Sequence, residues 1–510
     1  MVVAPAKLTP MGIYSEYQKG VSYNQSIELY DKVRKNENFF IGNQWEGVDA
    51  PDLDKPVFNI LKRVCNMFIA QIVSDDISAS ANTFIHSADS DKAMKIISQE
   101  IERAIEYSRA KQKSRRVLRN ACVDGDGCLY AYFNPNEKTG QSAKGLVSLE
   151  VIDNTNIIFD NTATPDVQSQ GHIILVLRKK LSEVIHEARQ NGIDESQIAK
   201  IRVDNESELG DERDDCVTLL IRFWKENGKV YCCKATKDAF VKEPFDTGLL
   251  LYPVAFMNWE SVKNSYHGQA AITELLPNQI FINKCYAMGM DYVKKMAFPK
   301  LIYDKNRFPN GFSNRIGEAI KIEGGVNDAI ATAFKMPDMS GAVMELVEKT
   351  MVYTKEYMGA SDASLGNIRP NNAAAIIATQ KASNAPLELI RQSFYQFVED
   401  YVRIFVDIMR AYYGVRDING ENGEIERFDF ATLSDYDFNL NVNVGASAYW
   451  SEIMQVQTAD NLFGCGIISD PEIYLNSIPD AYIKNKQKII QSIRNTKNEK
   501  ENVPVKAVGA

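Results

Sequence analysis

Three helix-patterned segments between residues 268 and 413 constrain this chain most, because their order does not suit a compact monomer. The first covers about 268–296 and the second about 339–357, with a short strand-rich insert between them. After a loop of small residues, a third pattern of about 41 residues, or roughly 60 Å of helix, continues to Tyr413. Two helices that lead out to a small insert and back predict an elongated subunit of a ring.

Length and composition set outer limits on the fold. A chain of 510 residues exceeds what one hydrophobic core supports, so we expect two or more domains or an extended shape. The formal net charge is -9, whereas proteins that bind nucleic acid through its phosphates carry an excess of basic residues. Tight nucleic-acid binding is therefore not expected. The longest apolar runs are too short to span a bilayer, and the N-terminus lacks a signal-peptide pattern, which predicts no membrane partner and a cytoplasm-like compartment.

The sequence lacks the motifs of the common enzyme classes. The sequence has no GxxxxGKS/T, GxSxG, HExxH or GxGxxG string, and its four histidines lie far apart. The eight cysteines are scattered without a CxxC pair, which predicts free buried thiols. We therefore expect no catalytic residues, no cofactor and no metal.

Two short strings leave alternatives open. The run from Asp124 to Gly127 alternates carboxylates with glycine but lacks the remaining ligands of a calcium loop, so a turn between helix and strand is favoured over a cation site. A basic cluster precedes it on a predicted helix. A solvated or subunit-facing helix end is favoured there over a DNA contact. The cluster comprises Lys111, Lys113, Arg115, Arg116 and Arg119.

The rest of the chain predicts an α+β fold. The first twenty residues are expected to be poorly ordered, and the segment after them mixes helical periods with short β-prone runs. Residues 438–444 alternate apolar and polar side chains, which predicts a strand that returns to the same sheet. Helices are expected at about 26–42, 59–72, 94–118, 182–190, 449–463, 471–477 and 481–494, and strands at 129–133, 146–152, 157–159, 172–177, 217–224 and 230–235.

The central segments carry the functional argument. The second helix repeats charged residues at three- and four-residue steps, which is the pattern of a solvent face unless a ring turns that face toward a channel. The loop that follows, 359–372, is small and polar, and Asn371 or Asn372 is expected to cap the next helix. Pro386 is expected to kink that helix. The charged stripe consists of Glu345, Glu348, Lys349, Lys355 and Glu356.

Several strings, taken in order, resemble those of the portal proteins of tailed bacteriophages. NFFIGNQW at 38–45 and PVFN at 56–59 resemble the opening helix and its link, and VID at 151–153 with NIIFD at 156–160 resembles the wing pattern. GQA at 268–270, LLPNQ at 275–279 and AFPKLIYD at 297–304 resemble the first stem helix entering the clip. The shared order of these strings, rather than any one of them, carries the resemblance.

The resemblance implies an elongated portal fold with an α/β wing, a two-helix stem, a small β-containing clip, a long kinked helix and a helical crown. It implies that residues 1–267 form wing, 268–298 and 338–358 stem helices, 299–337 clip, and 359–372 tunnel loop. It further implies that 373–449 form the long helix and returning wing strands, 450–495 the crown, and 496–510 a flexible tail.

The same resemblance implies a ring of about twelve copies at one capsid vertex of the virion, assembled in the host cytoplasm. Double-stranded DNA would pass through the channel without sequence readout. The implied partners are the terminase large subunit, a head–tail adaptor protein, the major capsid protein and, for some relatives, a scaffold protein. The alternatives are another head–tail ring protein or, less favoured, a metal-dependent enzyme that uses Asp124 and Asp126.

Site residues follow from this mapping. The charged stripe is implied to line the channel. Asn367, Ile368, Arg369, Asn371 and Asn372 are implied to lie in the tunnel loop, and all of them except Ile368 are expected to touch the DNA backbone transiently. The residues implied to dock the adaptor at the clip are Tyr303, Asp304, Lys305, Asn306, Arg307 and Phe308.

Overall fold

The computed structural model describes most of the chain and divides it into two compact units. The first unit comprises Met1–Ile69, Arg116–Tyr130 and Glu150–Ser393, and the second comprises Ala70–Arg115, Ala131–Leu149 and Phe394–Ala510. The described residues are 8–73, 77–83, 87–138, 143–204, 215–297, 301–303, 306, 331–333, 341–357, 387–419, 425–435, 438–444, 447–478, 483, 486, 489–490 and 492–493.

Helices and sheets alternate irregularly, so the class is α+β, as the sequence predicts. The helices are α1 (Pro10–Ser26), α2 (Leu29–Ile41), α3 (Ile60–Ile72), α4 (Ala88–Tyr107), α5 (Ala110–Asp124), α6 (Leu181–Gln190), α7 (Glu195–Ile198), α8 (Leu276–Ala297), α9 (Gly341–Tyr357), α10 (Glu388–Tyr412), α11 (Ser447–Gly464) and α12 (Pro471–Ser477).

The strands form several antiparallel groups. They are β1 (Ile77–Thr83), β2 (Asp126–Lys138), β3 (Lys144–Ile152), β4 (Ile157–Phe159), β5 (His172–Lys180), β6 (Cys216–Glu226), β7 (Lys229–Ala235), β8 (Phe240–Asp246), β9 (Val254–Asn258), β10 (Leu301–Tyr303), β11 (Ala331–Ala333), β12 (Val415–Asn419), β13 (Ile425–Asp429) and β14 (Phe438–Val444). The largest sheet has the order β4-β5-β6-β7-β8, and a second has the order β3-β2-β9.

The five-stranded sheet forms the core of the first unit, with helices on both faces. Ile13 and Tyr17 of α1 pack against one face together with Leu220 of β6. The neighbouring residue, Leu219, points to the other face, where it packs with Val184 of α6. This alternation is the two-residue period of a strand, and it explains why seven of the eleven residues of β6 are apolar.

The N-terminal prediction is wrong, because residues 10–26 form a regular helix. Thr9 caps α1, accepting a hydrogen bond at Oγ1 from the backbone N–H of Gly12 over 3.1 Å, and Pro10 occupies the first helical position. A Thr-Pro pair at a helix start satisfies one free N–H and pre-sets the backbone, so this signal was present in the sequence. The buried face of α1 is narrow, so the sequence pattern alone did not show that this helix packs on the sheet.

The second unit contains a two-stranded pairing that the sequence predicted differently. β14 pairs antiparallel with β1, from Ile77 opposite Val444 to Thr83 opposite Phe438, and does not join the five-stranded sheet. The predicted helix over 94–118 is likewise two helices, because Arg109 adopts φ +54° between α4 and α5. α10 supplies the aromatic core of this unit with Phe397, Tyr401 and Phe405.

The predicted β insert and long helix are described in part. β10 pairs antiparallel with β11, and α10 is helical over the C-terminal part of the predicted 41-residue segment. Among the described residues, no helix is long and apolar enough to cross a membrane. All eight cysteines are free, and seven are buried as predicted, whereas Cys465 is exposed.

Candidate functional site

The segment that leads into α8 is held by a buried carboxylate at the start of β2. Asp126 accepts hydrogen bonds from the backbone N–H of Gly268 over 2.6 Å and from Asn258 Nδ2 over 2.7 Å. Its other oxygen lies 2.6 Å from Nδ1 of His267 and accepts from Asn154 Nδ2 over 3.2 Å. A buried carboxylate with this many donors is held firmly in one position. The Asp-Gly string is therefore a helix–strand turn that fixes the entry to α8.

Asp126 and His267 have the geometry of the carboxylate and the histidine of a hydrolytic triad. The atom on the other side of the histidine ring rules out that role. His267 Nε2 lies 3.2 Å from Oδ1 of Asn24, which is an amide oxygen and not a nucleophilic hydroxyl. A triad requires a serine, threonine or cysteine at that place. Both members of the pair are buried. Asp126 and His267 therefore fix the position of the segment that leads into α8.

Asp124, two residues earlier at the end of α5, is partly buried and lacks this satisfaction. Its Oδ1 has no hydrogen-bond partner among the described residues, and its Oδ2 lies 4.0 Å from Nη1 of Arg119. Burial raises the pKa of Asp124 to about 7, against the attraction of Arg119 and with added repulsion from Glu37, Asp153 and Asp126. Within the described part of the chain, no group of three or more His, Cys, Asp or Glu side chains is arranged to hold a metal ion.

The N-terminal half of α8 is fixed by buried side-chain amides. Gln279 accepts a hydrogen bond from the backbone N–H of Ile60 over 3.2 Å and donates to the carbonyl of Phe58 over 2.8 Å. Asn283, one turn later, donates to Oε1 of Gln44 over 2.6 Å. Buried amides with matched partners fix both the position and the rotation of a helix. The direction of α8 is thus set by the first unit.

The C-terminal half of α8 loses its buried contacts. Ala287 is the last buried residue, and from Met288 the described side chains are exposed or half-buried. Val293 has 61% of its surface exposed, and several other large apolar residues share this exposure. A contiguous exposed apolar surface is typical of an interaction site. The exposed apolar residues of α8 are Phe281, Met288, Met290, Val293 and Met296.

α9 runs antiparallel to α8 and packs on it through a narrow face. Asn278 near the start of α8 donates to Oγ1 of Thr354 near the end of α9 over 3.2 Å, and Tyr286 contacts Met351 further along. Val347 is 1% exposed and Thr354 is also buried. These two residues are seven apart, or two helical turns, so they mark the face of α9 that contacts α8.

The other faces of α9 divide by chemistry. At 100° per residue, Glu345, Lys349 and Glu356 fall within about 40° of one another and opposite the packed face. Lys349 forms an ion pair with Glu345 at 2.8 Å, and Glu348 adds a further exposed carboxylate. The stripe therefore carries an excess of negative charge. It is flanked by exposed apolar side chains, with Leu346 and Tyr353 on one side and Met344 on the other.

The predicted site residues meet different outcomes. The described members of the charged stripe lie on α9 with exposed side chains, and Lys355 lies on the same helix, although its side chain is outside the described residues. Tyr303 ends β10, and Asn306 is exposed in a turn. The other clip and tunnel-loop residues and the helix kink lie outside the described residues, namely Asp304, Lys305, Arg307, Phe308, Asn367, Ile368, Arg369, Asn371, Asn372 and Pro386.

The apolar flanks of the hairpin were missed at the level of the sequence. Two signals could have found them. The C-terminal part of α8 carries methionine and valine over more than half of its circumference, a pattern that a helix packed on one face does not need. Tyr353, which is 63% exposed, lies between the charged stripe and the packed face. Exposure itself depends on what surrounds the hairpin, so the pattern alone did not establish it.

Comparison with known proteins adds no assignment. No protein-family model matches this chain, and no curated protein sequence is significantly similar to it.

Proposed function

We propose that this chain is the portal subunit of a tailed double-stranded DNA bacteriophage. In this proposal about twelve copies close into a ring at one capsid vertex, the genome is packaged and ejected through its channel, and no reaction is catalysed. The partners are the terminase large subunit, the head–tail adaptor, the capsid protein and, for assembly, a scaffold protein. The ordered strings that resemble portal proteins motivate the proposal.

One observation carries it, namely the three-way division of α9. One face packs on α8, and the opposite face carries Glu345, Lys349 and Glu356 with one exposed apolar residue, Val352. Exposed Leu346 and Tyr353 lie on one flank, and Met344 lies beside Glu348 on the other. An isolated surface hairpin gains nothing from exposed Tyr353 or Leu346, because apolar surface in water is unfavourable by about 25 cal/mol per Å². In a ring, neighbouring hairpins cover the flanks, and the charged faces remain along the axis. An acidic wall repels phosphates, so DNA slides instead of binding.

The alternatives from the sequence receive less support. A metal-dependent enzyme built on Asp124 and Asp126 would need convergent ligands, and Asp126 already accepts from Gly268, Asn258 and Asn154. Another head–tail ring protein would share the apolar flanks. It would not need an anchored helix pair with a strand insert, which is the feature that favours a portal stem and clip.

Assembly is the first test. Purified chain, alone and co-expressed with a scaffold protein, would be examined by mass photometry and cryo-electron microscopy. Closed rings of about twelve subunits are expected, with an axial hole wide enough for a duplex and Glu345 and Glu348 facing it. A compact dimer or tetramer without a hole would contradict the proposal, as would rings that bury these carboxylates between subunits.

Substitution of the flanks tests the interface directly. Val293→Glu combined with Tyr353→Glu places charges on the surfaces that neighbouring copies would cover, so rings should be lost while the monomer keeps its melting temperature within a few degrees. Ile41→Glu combined with Val262→Glu changes the charge equally at exposed apolar sites elsewhere. This control should still form rings. Loss of rings for both pairs, or for neither, would count against the assigned interface.

A further inference from the structure

Two lysines lie directly opposite each other on neighbouring strands of the five-stranded sheet. Lys234 of β7 pairs with Lys242 of β8. Opposite residues of neighbouring strands point to the same face, and Lys234 forms an ion pair with Glu187 of α6, so this lysine pair lies on the face that α6 covers. Like charges in this position repel each other. The pair shares no residue with the α8–α9 hairpin, so its chemistry is independent of the proposed ring.

The carboxylate beside the lysine pair is already engaged. Oε1 of Glu187 pairs with Lys234, and its Oε2 lies 3.7 Å from Nζ of Lys179 on β5. Burial acts to raise the pKa of Glu187, but the hydrogen bonds and charges of Lys234 and Lys179 lower it overall. Lys242 forms no hydrogen bond or ion pair among the described residues. Three lysines against one carboxylate leave two positive charges in excess, and Lys242 is the lysine without a counter-ion.

An irregularity in β8 places an aromatic ring against Lys242. Cys232 of β7 pairs with Phe245, and the register shifts before the next pair, Lys234 with Lys242. Residues three apart point to opposite faces of a regular strand, and the shift brings Phe245 to the side of Lys242. Pro244, which has no N–H to donate, lies within this bulge. Nζ of Lys242 is 3.7 Å from the ring centre of Phe245, so the ring takes the place of water on one side of the amine.

These surroundings increase the share of Lys242 that is neutral. Burial lowers the pKa of Lys242, and repulsion from Lys234 lowers it further, whereas Cys232 and Glu187 act in the opposite direction. The contact with Phe245 favours the ammonium. A lysine desolvated beside another cation is an activated nucleophile, because more of it has a free lone pair near neutral pH. Lys242 is half-buried, so a small reagent reaches it. Cys232 does not compete, since it is 4% exposed and burial raises the pKa of its thiol.

We propose that Lys242 is a modification site whose amine accepts an acyl group from small acyl phosphates. The neutral Nζ attacks the carbonyl carbon and a carbon–nitrogen bond forms. The bond from that carbon to the phosphate oxygen breaks, phosphate leaves with the electron pair, and the nitrogen loses a proton to water. The excess positive charge around Lys242 attracts the phosphate group of the reagent. Acylation removes the charge of Lys242 and with it the repulsion from Lys234.

Acetylation of the full chain by acetyl phosphate between pH 6 and pH 10 tests this proposal, with initial rates at each lysine measured by peptide mass spectrometry. Lys263 is the matched control, because it is exposed and has no hydrogen bond or ion pair among the described residues. Near pH 7, Lys242 should react at least about threefold faster than Lys263, and its rate should level off at a lower pH. Equal rates, or the same pH profile for both lysines, would overturn the proposal.

Variants of the surrounding charges test the cause. Lys234→Gln removes the repelling charge and leaves Glu187 free to pair with Lys242, so acetylation of Lys242 near pH 7 should slow at least about threefold. Lys234→Arg keeps the charge and should keep the rate. Glu187→Gln removes an attraction and should raise the rate. The rate at Lys263 should be the same in all three variants. Equal rates at Lys242 in Lys234→Gln and Lys234→Arg would show that the neighbouring charge does not activate this amine.

Discussion

At the scale of single residues, Asp124 and Asp126 show that environment, and not residue type, decides how well a carboxylate is satisfied. Asp126 accepts hydrogen bonds from a backbone N–H and two amides, in addition to its contact with His267. Asp124 has a buried oxygen without a partner and a pKa of about 7. Donors stabilise a carboxylate, whereas burial alone destabilises it. Asp126 is therefore an anchor held by its donors, and Asp124 is a group that titrates near neutral pH.

The raised pKa of Asp124 predicts a pH-dependent effect on stability. Between its ordinary value of 3.8 and about 7, the native carboxyl keeps a proton that the unfolded chain has released. The free energy of unfolding therefore falls as pH rises through this window, by up to about 1.4 kcal/mol per unit. The Asp124→Asn variant has no carboxyl at this position, so it does not show this loss of stability. We expect it to stabilise the protein by roughly 2–4 kcal/mol at pH 8 and by little at pH 4.

Urea unfolding of both proteins at pH 4, 6 and 8 measures this difference. Asp31→Asn is a matched control, because its side chain is 75% exposed and its ion pair with Arg34 is on the surface. Its effect should stay within a few tenths of a kcal/mol at every pH. A constant difference between Asp124→Asn and the unmodified chain would mean that the carboxyl titrates normally.

At the scale of elements, the entry to α8 differs from the sequence prediction. The helical pattern began at Gly268, whereas α8 begins at Leu276 after a 3₁₀ turn. Gly268 donates to Asp126, and Gln269 donates to the carbonyl of Glu260, so these residues are held in an extended bridge. Hydrogen bonds to another part of the chain override local helix propensity here.

The close approach at this point predicts an intolerant glycine. Gly125 has φ +100°, and a Cβ there would lie 2.7 Å from the carbonyl oxygen of Gly268. Gly125→Ala thus adds a backbone clash to the cost of a left-handed conformation, which by itself is about 1–2 kcal/mol. Gly42 has φ +104° with nothing within 4 Å of the same position. Gly42→Ala is therefore the matched control for the backbone term.

We expect Gly125→Ala to lower the free energy of unfolding by at least about 2 kcal/mol more than Gly42→Ala, because only the former must displace the backbone at Gly268. Urea unfolding followed by circular dichroism would measure both. Equal losses for the two variants would show that the turn and the start of the α8 segment can separate without cost.

At the scale of the whole molecule, net charge and surface pattern bear on the proposed channel. The chain carries a formal charge of -9, and the exposed stripe on α9 is acidic. Closing many copies into a ring would concentrate that charge along the axis. DNA would pass through a channel of this kind because the acidic wall does not bind its phosphates.

Charge reversal of the stripe should convert passage into binding. Rings with Glu345→Lys, Glu348→Lys and Glu356→Lys should retain short duplex DNA at low salt and release it as salt rises, because phosphates then displace counterions. Glu183→Lys, Glu226→Lys and Glu243→Lys change the net charge equally at exposed sites of the first unit outside the hairpin. Fluorescence anisotropy of labelled duplex would compare them. Equal retention by both triple variants would show that α9 does not face the DNA path.

The sequence by itself determined most local structure. The hairpin between β6 and β7 follows from Asn227 and Gly228, which both adopt positive φ, and α12 has the predicted bounds, Pro471–Ser477. The charged stripe on α9 followed from a period of 3.6, and the α+β class followed from the mixture of periods. These features depend on residues a few positions apart, so local sequence patterns are sufficient to predict them.

Only the tertiary structure decided which elements meet and which surfaces stay uncovered. The partner of β14 is β1, about 360 residues earlier in the chain, and an alternating pattern specifies a buried face without specifying a neighbour. The lysine pair of β7 and β8 and the apolar flanks of α9 likewise depend on what lies nearby in space. Solvent exposure and hydrogen-bond satisfaction belong to a packed chain, because they are set by atoms distant in sequence.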